Sequence, residues 1–244
     1  MSDLILVVPV YNESARLTAD SWLQYLGADR ARALCFVDDG STDRTPELLE
    51  QLRQQLPQQV TVLRLPRNVG KAEAVRQGMV RALQDTERYA GFIDADLAAP
   101  LGEVALLHAE LEARPEVWAA FGSRAKLLGR HIVRSERRHY IGRVFATCAS
   151  MALQLPVYDT QCGLKLFRNT PEVRGAFADP FRSKWIFDVE LLARLADAAR
   201  ADVASRIREV PLENWEERGA SRLRLRDFAR APLELLMIRR GRTR

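Results

Sequence analysis

Asp94 and Asp96 stand two residues apart, directly after the β-rich run Tyr89 to Ile93. Carboxylates that close repel one another unless they share a cation or a proton. Hard oxygen donors favour Mg²⁺ or Mn²⁺, ions that keep several waters and bind through one or two carboxylates together with a substrate's phosphates. The triplet Asp94-Ala95-Asp96 therefore outlines a metal-nucleotide site, although an isolated pair of this kind also serves as a helix cap or a turn. The three histidines, His108, His131 and His139, have no metal-ligand spacing.

Three further polar clusters follow β-rich runs. Pro9-Val10-Tyr11-Asn12-Glu13 comes after the first, Asp38-Asp39-Gly40-Ser41-Thr42-Asp43 after the second, and Arg67-Asn68-Val69-Gly70-Lys71 after the third. Asp38 and Asp39 are placed to accept hydrogen bonds from a nucleobase or ribose, as an acid near a strand end does in dinucleotide-binding sheets. A turn with a helix cap is the other use of such residues. Neither G-x-G-x-x-G nor G-x-x-x-x-G-K-[ST] occurs, which disfavours dinucleotide redox chemistry and P-loop hydrolysis.

The elements that must position these clusters are legible as runs. Strands are expected at Leu4 to Val8, Ala33 to Val37, Val60 to Leu65, Tyr89 to Ile93 and Val117 to Phe121. Helices are expected between them, at Ser14 to Leu26, from Thr45, at Lys71 to Leu83 and over Val104 to Leu111. Strands joined by one helix each are parallel with right-handed crossovers, so the expectation is an α/β fold, a Rossmann-like, mostly parallel sheet covered by helices on both faces. All four clusters then meet at the carboxyl edge of that sheet, where ligands bind. The second half is less regular: a helix over Arg134 to Leu155, a strand at Gly163 to Arg168, a helix at Ile186 to Ala199 and a strand at Val203 to Val210. The expected organisation is one domain over 1–225, with 1–122 holding the nucleotide and 123–225 the acceptor, then a basic amphipathic segment over 226–244.

Composition excludes several classes. With 244 residues, 47% hydrophobic and 28% charged, the chain is globular, neither fibrous nor disordered. Three cysteines without C-x-x-C spacing suggest neither a disulfide framework nor a thiolate zinc site. No run reaches the roughly 18 to 20 apolar residues that a spanning helix needs, and the first residues lack signal-peptide features. The expected location is cytoplasmic, or peripheral on the cytoplasmic face of a membrane. Net charge is +5, concentrated in two stretches: Arg124 to Arg143 has seven bases against Glu136, and Arg222 to the end has eight arginines against Asp227 and Glu234. Such blocks recruit phosphate, or form a solvated surface.

VVPVYNES, VDDGSTDRT, RNVGKAEAVRQGM and FIDADLAAP, in that order, resemble the family 2 glycosyltransferases of the nucleotide-sugar-binding A-type fold. GSR at Gly122 to Arg124, YDTQCGLKLF, WIFDVELL and EVPLENWEERGASRL are similar to its polyprenyl-phosphate branch, the dolichyl-phosphate glucosyltransferases first and the mannosyltransferases next. The resemblance implies an inverting, metal-dependent hexosyltransferase that uses Mg²⁺ or Mn²⁺ and moves a hexose, glucose foremost, from a UDP-sugar to a polyprenyl phosphate. A GDP-mannose donor and a soluble acceptor are the alternatives. Ala98 stands where the mannosyl branch usually has glutamine, which counts against GDP-mannose.

The resemblance also implies roles. Pro9, Tyr11, Asn12 and Glu13 frame the nucleoside, Asp39 holds it with Asp38 beside it, and Lys71 makes a base-side contact. Asp94 touches ribose or sugar and shares the metal site with Asp96, which bridges to the donor pyrophosphate. Arg124 and Arg134 position phosphate, the latter that of the acceptor. Asp159 touches the sugar, acts as an auxiliary base or is structural. For a lipid acceptor, the basic stretches would dock on a bilayer, with Leu127, Leu128, Ile132 and Val133 entering it or packing inside.

Two other classes would use these residues differently. A nucleic-acid-binding protein would use the basic stretches, but these lack interleaved aromatic stackers, so no nucleic acid partner is expected. A nucleotidyltransferase would carry a glycine-rich basic loop where Tyr11-Asn12-Glu13-Ser14 stands.

Overall fold

The aliphatic run Leu4–Val10 forms β1 at the centre of a seven-stranded sheet, its residues buried on both faces in a computed structural model that describes residues 3–84, 88–218 and 233–238. Around it lie β2 (Arg32–Asp38), β3 (Val60–Arg64), β4 (Tyr89–Ile93), β5 (Ala119–Ser123), β7 (Leu164–Arg168) and β8 (Ile207–Pro211), in the order β3-β2-β1-β4-β7-β5-β8. A separate two-stranded parallel sheet pairs β6 (His131–Val133) with β9 (Asn214–Glu216). The helices are α1 (Ala19–Gly27), α2 (Thr45–Gln55), α3 (Lys71–Ala82), α4 (Val104–Ala113), α5 (Glu136–Leu153), α6 (Pro171–Ala178), α7 (Phe187–Ala199) and the single turn α8 (Val203–Arg206).

Alternation along each strand builds two cores. Ile5 and Val7 of β1 face α3, α6 and α7 through Val75, Phe177 and Leu191. Leu4, Leu6 and Val8 face α1, α2 and α4 through Trp22, Leu49 and Leu107. Both faces are thereby covered, as a continuous hydrophobic strand requires. β1 pairs in parallel with both β2 and β4, so the strand order reverses at β1, where a crevice opens beyond the carboxyl ends.

Several expectations are corrected. β5 does not neighbour β4: β7, from the second half of the chain, runs antiparallel between them. Pairing partners are set by which faces meet in space, and a short run such as LKLFR carries no label for them. Residues 14–18 are not helical, because the Ser14 amide and hydroxyl are spent on Asp43 at 3.1 and 2.6 Å. The expected strand over Val203 to Val210 is half helix, and α6, β6 and β9 were not anticipated. Residues 219–232 and 239–244, which hold most of the segment set apart at the carboxyl terminus, lie outside the described residues.

Candidate active site

The loops after β1 and β2 are laced together before any ligand arrives. Asn12 adopts a left-handed conformation (φ 52°) that lets its amide donate to Ser41 Oγ at 3.0 Å while its Oδ1 accepts from the Thr42 amide at 2.9 Å. The Glu13 amide donates to Thr45 Oγ1 at 2.9 Å. Asp43, which accepts from the Thr45 amide at 3.0 Å, takes over the start of α2. Burial raises the Asp43 pKa, but four bonds from these hydroxyls and amides together outweigh it and hold the carboxyl far below the usual carboxylate range. Asp39 extends the lacing to the third loop: its two oxygens accept from the Val69 and Gly70 amides at 2.7 and 2.9 Å. That loop then opens α3 with Lys71.

One cleft of about 1060 Å³ lies over these loops, and it is lined by Pro9, Tyr11, Glu13, Asp39, Lys71, Asp94, Ala95, Asp96, Arg124, Arg134 and Asp159. Eleven of the thirteen residues singled out in sequence thus share one cavity. Asn12 and Asp38 do not line it. Asp38 is fully buried, accepts from the Ser41 amide at 2.9 Å and faces Arg64 Nε at 3.5 Å. Both bond to the loops around the cleft.

Lys71 reaches across from α3 to Asp94 at 2.5 Å. Loss of hydration in the cleft pulls its pKa down, but the carboxylates of Asp94 and Asp188 outweigh that and raise it, so it is a fixed cation. Asp94 sits close because Gly163 offers no side chain: a Cβ there would overlap the Asp94 carboxylate. The Asp94 amide also donates to the Gly163 carbonyl at 3.0 Å, tying β4 to the start of β7. Asp96 accepts from the Ala98 amide at 3.0 Å, and Leu97 between them is held left-handed (φ 51°) with its side chain buried. Desolvation first, and then Asp94, raise the pKa of Asp96.

Such a carboxylate, costly as a bare anion, fits a hard divalent cation whose remaining ligands are waters and diphosphate oxygens. Asp94 has a cation already in Lys71, so Asp96 is the principal metal-ligand candidate. Among the described residues no group of three or more His, Cys, Asp or Glu is arranged to hold a metal by itself, as expected if the nucleotide completes the shell.

On the opposite wall Arg124 and Asp159 form a fork, with Nε to Oδ2 at 2.6 Å, Nη2 to Oδ1 at 2.7 Å and the Arg124 amide to Oδ2 at 3.1 Å. The Arg124 guanidinium also lies 5.3 Å from the Trp215 ring centre. Burial would raise the Asp159 pKa, but the charge and bonds of Arg124 overrule it and bring it down to about 2. Asp159 is thus committed to Arg124, which speaks for the structural role among those expected of it. Glu209 orients the pair by accepting from the Tyr158 and Asp159 amides at 2.8 and 2.7 Å. Arg134 packs its guanidinium on α5 where Gly142 leaves room.

Residue-type reasoning missed Asp188, Lys165, Arg16 and Trp215. Asp188 opens α7, lines the cleft and accepts from Lys165 Nζ at 2.6 Å. Lys165 is fully buried between the faces of Phe92 and Phe121, each 5.2 Å away. A lysine alternating with leucines in LKLFR and an acid beside an aromatic in WIFDVELL were visible signals, but neither names its partner. Arg16 also lines the cleft, held to Glu13 by two bonds of 2.9 and 3.0 Å.

Residues 5–175 match the family described as Glycosyl transferase family 2. A dolichyl-phosphate beta-glucosyltransferase of Trichomonas vaginalis is 31% identical over 95% of this chain and 69% of its own length. The dolichyl-phosphate beta-glucosyltransferase of Saccharomyces cerevisiae is 32% identical over 97% of this chain and 74% of its own, and that of Mus musculus 34% identical over 91% and 74%. The structure of glucosyl-3-phosphoglycerate synthase from Mycobacterium tuberculosis, solved with Mn²⁺, uridine diphosphate and phosphoglyceric acid, superposes with a TM-score of 0.69 at 18% identity, covering 99% of this chain and 78% of that one. At that identity the superposition speaks for the fold. The matched span, the relatives and the sheet with its loop-borne cleft agree: the chain belongs to glycosyl transferase family 2.

Proposed function

We propose that this protein is an inverting hexosyltransferase that moves glucose from UDP-glucose to the phosphate of a polyprenyl phosphate, with a divalent cation held at Asp96. The carrying observation is that two buried acids of the cleft are both spent. Asp159 is locked to Arg124 and Asp188 to Lys165. A site whose acids are neutralised in this way suits an acceptor that brings its own nucleophile, and a phosphate monoester is already an anion near neutrality.

Such an acceptor needs cations around it. Two phosphates about 5 Å apart repel by roughly 3 kcal/mol per pair of unit charges at an effective dielectric near 20. Arg124 and Arg134 bring positive charge to the same cleft as the acidic loop, so they offset that repulsion as acceptor approaches donor. When bound, Mg²⁺ or Mn²⁺ neutralises the charge that develops on the departing diphosphate. The loops after β1 and β2 frame the nucleoside through Pro9, Tyr11 and Asp39, and Lys71, paired with Asp94, orients it toward the donor. In this reading residues 1–122 hold the donor and 123–225 the acceptor.

The test is to incubate the purified protein with UDP-glucose or GDP-mannose, polyprenyl phosphate and Mg²⁺, and to weigh the lipid product. A hexosyl phospholipid formed from UDP-glucose is expected. Transfer only from GDP-mannose, or only to water-soluble phosphorylated acceptors, would overturn this reading.

A further inference from the structure

The outer face of α5 has no business in water. Its inner face packs into the core through Ala146, Ala149 and Leu153, yet Tyr140, Val144 and Met151 on the outer side are 69%, 66% and 71% exposed, with Cys148 between them. Positions 140, 144, 148 and 151 form one helical stripe. An apolar stripe on the side of a helix turned away from the core calls for a covering surface, protein or lipid. No helix among the described residues is long and apolar enough to cross a membrane, so the stripe can lie on a bilayer but not span one.

A second apolar element leaves the rim of the same cleft. The loop between Arg124 and Arg134 carries Leu127 and Leu128 at 52% and 105% exposure, and its end is fixed to α5 where Arg134 packs on Gly142. Ile132, for which the sequence left both places open, is buried. Lys126 and Lys184 are exposed beside these elements, and Arg143 of α5 also lines the cleft. Apolar side chains ringed by cations are the composition of a surface that enters the headgroup boundary of an anionic leaflet.

We infer that the stripe Tyr140, Val144 and Met151 of α5, with Leu127 and Leu128, docks the protein on an anionic bilayer surface and holds the cleft mouth at the headgroup level. The inference rests on the reading of a lipid-borne acceptor. It adds that the folded catalytic unit itself supplies the contact, through residues outside the cleft. Neither Val144 nor Met151 lines that cleft, so both can change without touching the site.

The experiment floats the full chain with vesicles of phosphatidylcholine, with and without phosphatidylglycerol, and compares the wild type with Val144→Glu/Met151→Glu and with Leu127→Glu/Leu128→Glu. The wild type should float, more so with phosphatidylglycerol, and each variant should partition at least about tenfold less. Transfer to a short, water-soluble polyprenyl phosphate should be unchanged, and unaltered thermal melting would show that the variants are folded. Folded variants that float like the wild type would overturn the inference, as would a wild-type dimer that the α5 variant dissociates, since a second copy would then cover the stripe. Absence of transfer to the short acceptor by the wild type would instead overturn the proposed function, with flotation still deciding the surface.

Discussion

Arg124 and Asp159 face each other through a two-bond fork, 2.6 and 2.7 Å long, on the cleft wall that the acceptor would meet. The pair leaves one edge of the guanidinium for a substrate anion while fixing its plane. Asp159→Asn should leave a nearly buried cation without its counter-ion and destabilise the fold by about 3 kcal/mol, read from urea unfolding. A freed Arg124 loses its orientation, so the KM for polyprenyl phosphate should rise more than that for UDP-glucose.

Acid should remove the same contribution from the unaltered protein. The folded pKa of Asp159, about 2, lies below its unfolded value near 3.8, so this stabilisation is complete above the unfolded value and is lost as pH falls through the folded one. The loss amounts to about 2 kcal/mol. Urea midpoints measured across that acid window should fall for the wild type by more than for Asp159→Asn.

Lys165 and Asp188 present the buried version of the same problem. Lys165→Met strands Asp188 and should cost about 3 to 5 kcal/mol, whereas Lys165→Met/Asp188→Leu should recover most of it, because two apolar groups replace two desolvated charges. Chemical unfolding of the single and double variants checks this. Transfer should stay impaired in both if Asp188 helps to hold Lys71 and Asp94 in place.

Asp96→Ala should abolish transfer while thermal melting stays within a few degrees of the wild type, and Mn²⁺ bound in the presence of UDP should fall to background. The pKa of Asp96 is raised, so the acid limb of activity should lie above the range of an ordinary carboxylate. Excess metal should shift that limb downward, because the cation competes with the proton.

Gly163→Ala tests the close approach at Asp94. The added methyl cannot coexist with the carboxylate where it stands, so Asp94 must swing away from Lys71. We expect kcat to drop by at least about tenfold, near 1.4 kcal/mol in the barrier, with the fold retained.

Much of this protein was legible in its residues. The aliphatic runs of β1, β2 and β4 could only be doubly covered strands, and an acidic or amide-rich cluster after each placed the ligand at one sheet edge, since parallel strands end on the same side. That reasoning brings Asp39, Lys71, Asp94 and Asp96 together from the sequence alone. It does not show that Asp38 and Asn12 bond to neighbouring loops, because a polar side chain at a strand end turns toward either a ligand or a loop, and local spacing is the same in both cases.

Only the tertiary structure decided who neutralises whom. The lysine in LKLFR meets the aspartate of WIFDVELL because β7 enters the sheet antiparallel between β4 and β5, next to the start of α7, and pairing across that distance in the chain leaves no local mark. The fork that commits Asp159 to Arg124 and the apolar stripe left outside on α5 were decided the same way. Periodicity shows that a helix has an apolar face, but packing determines which faces the core has covered.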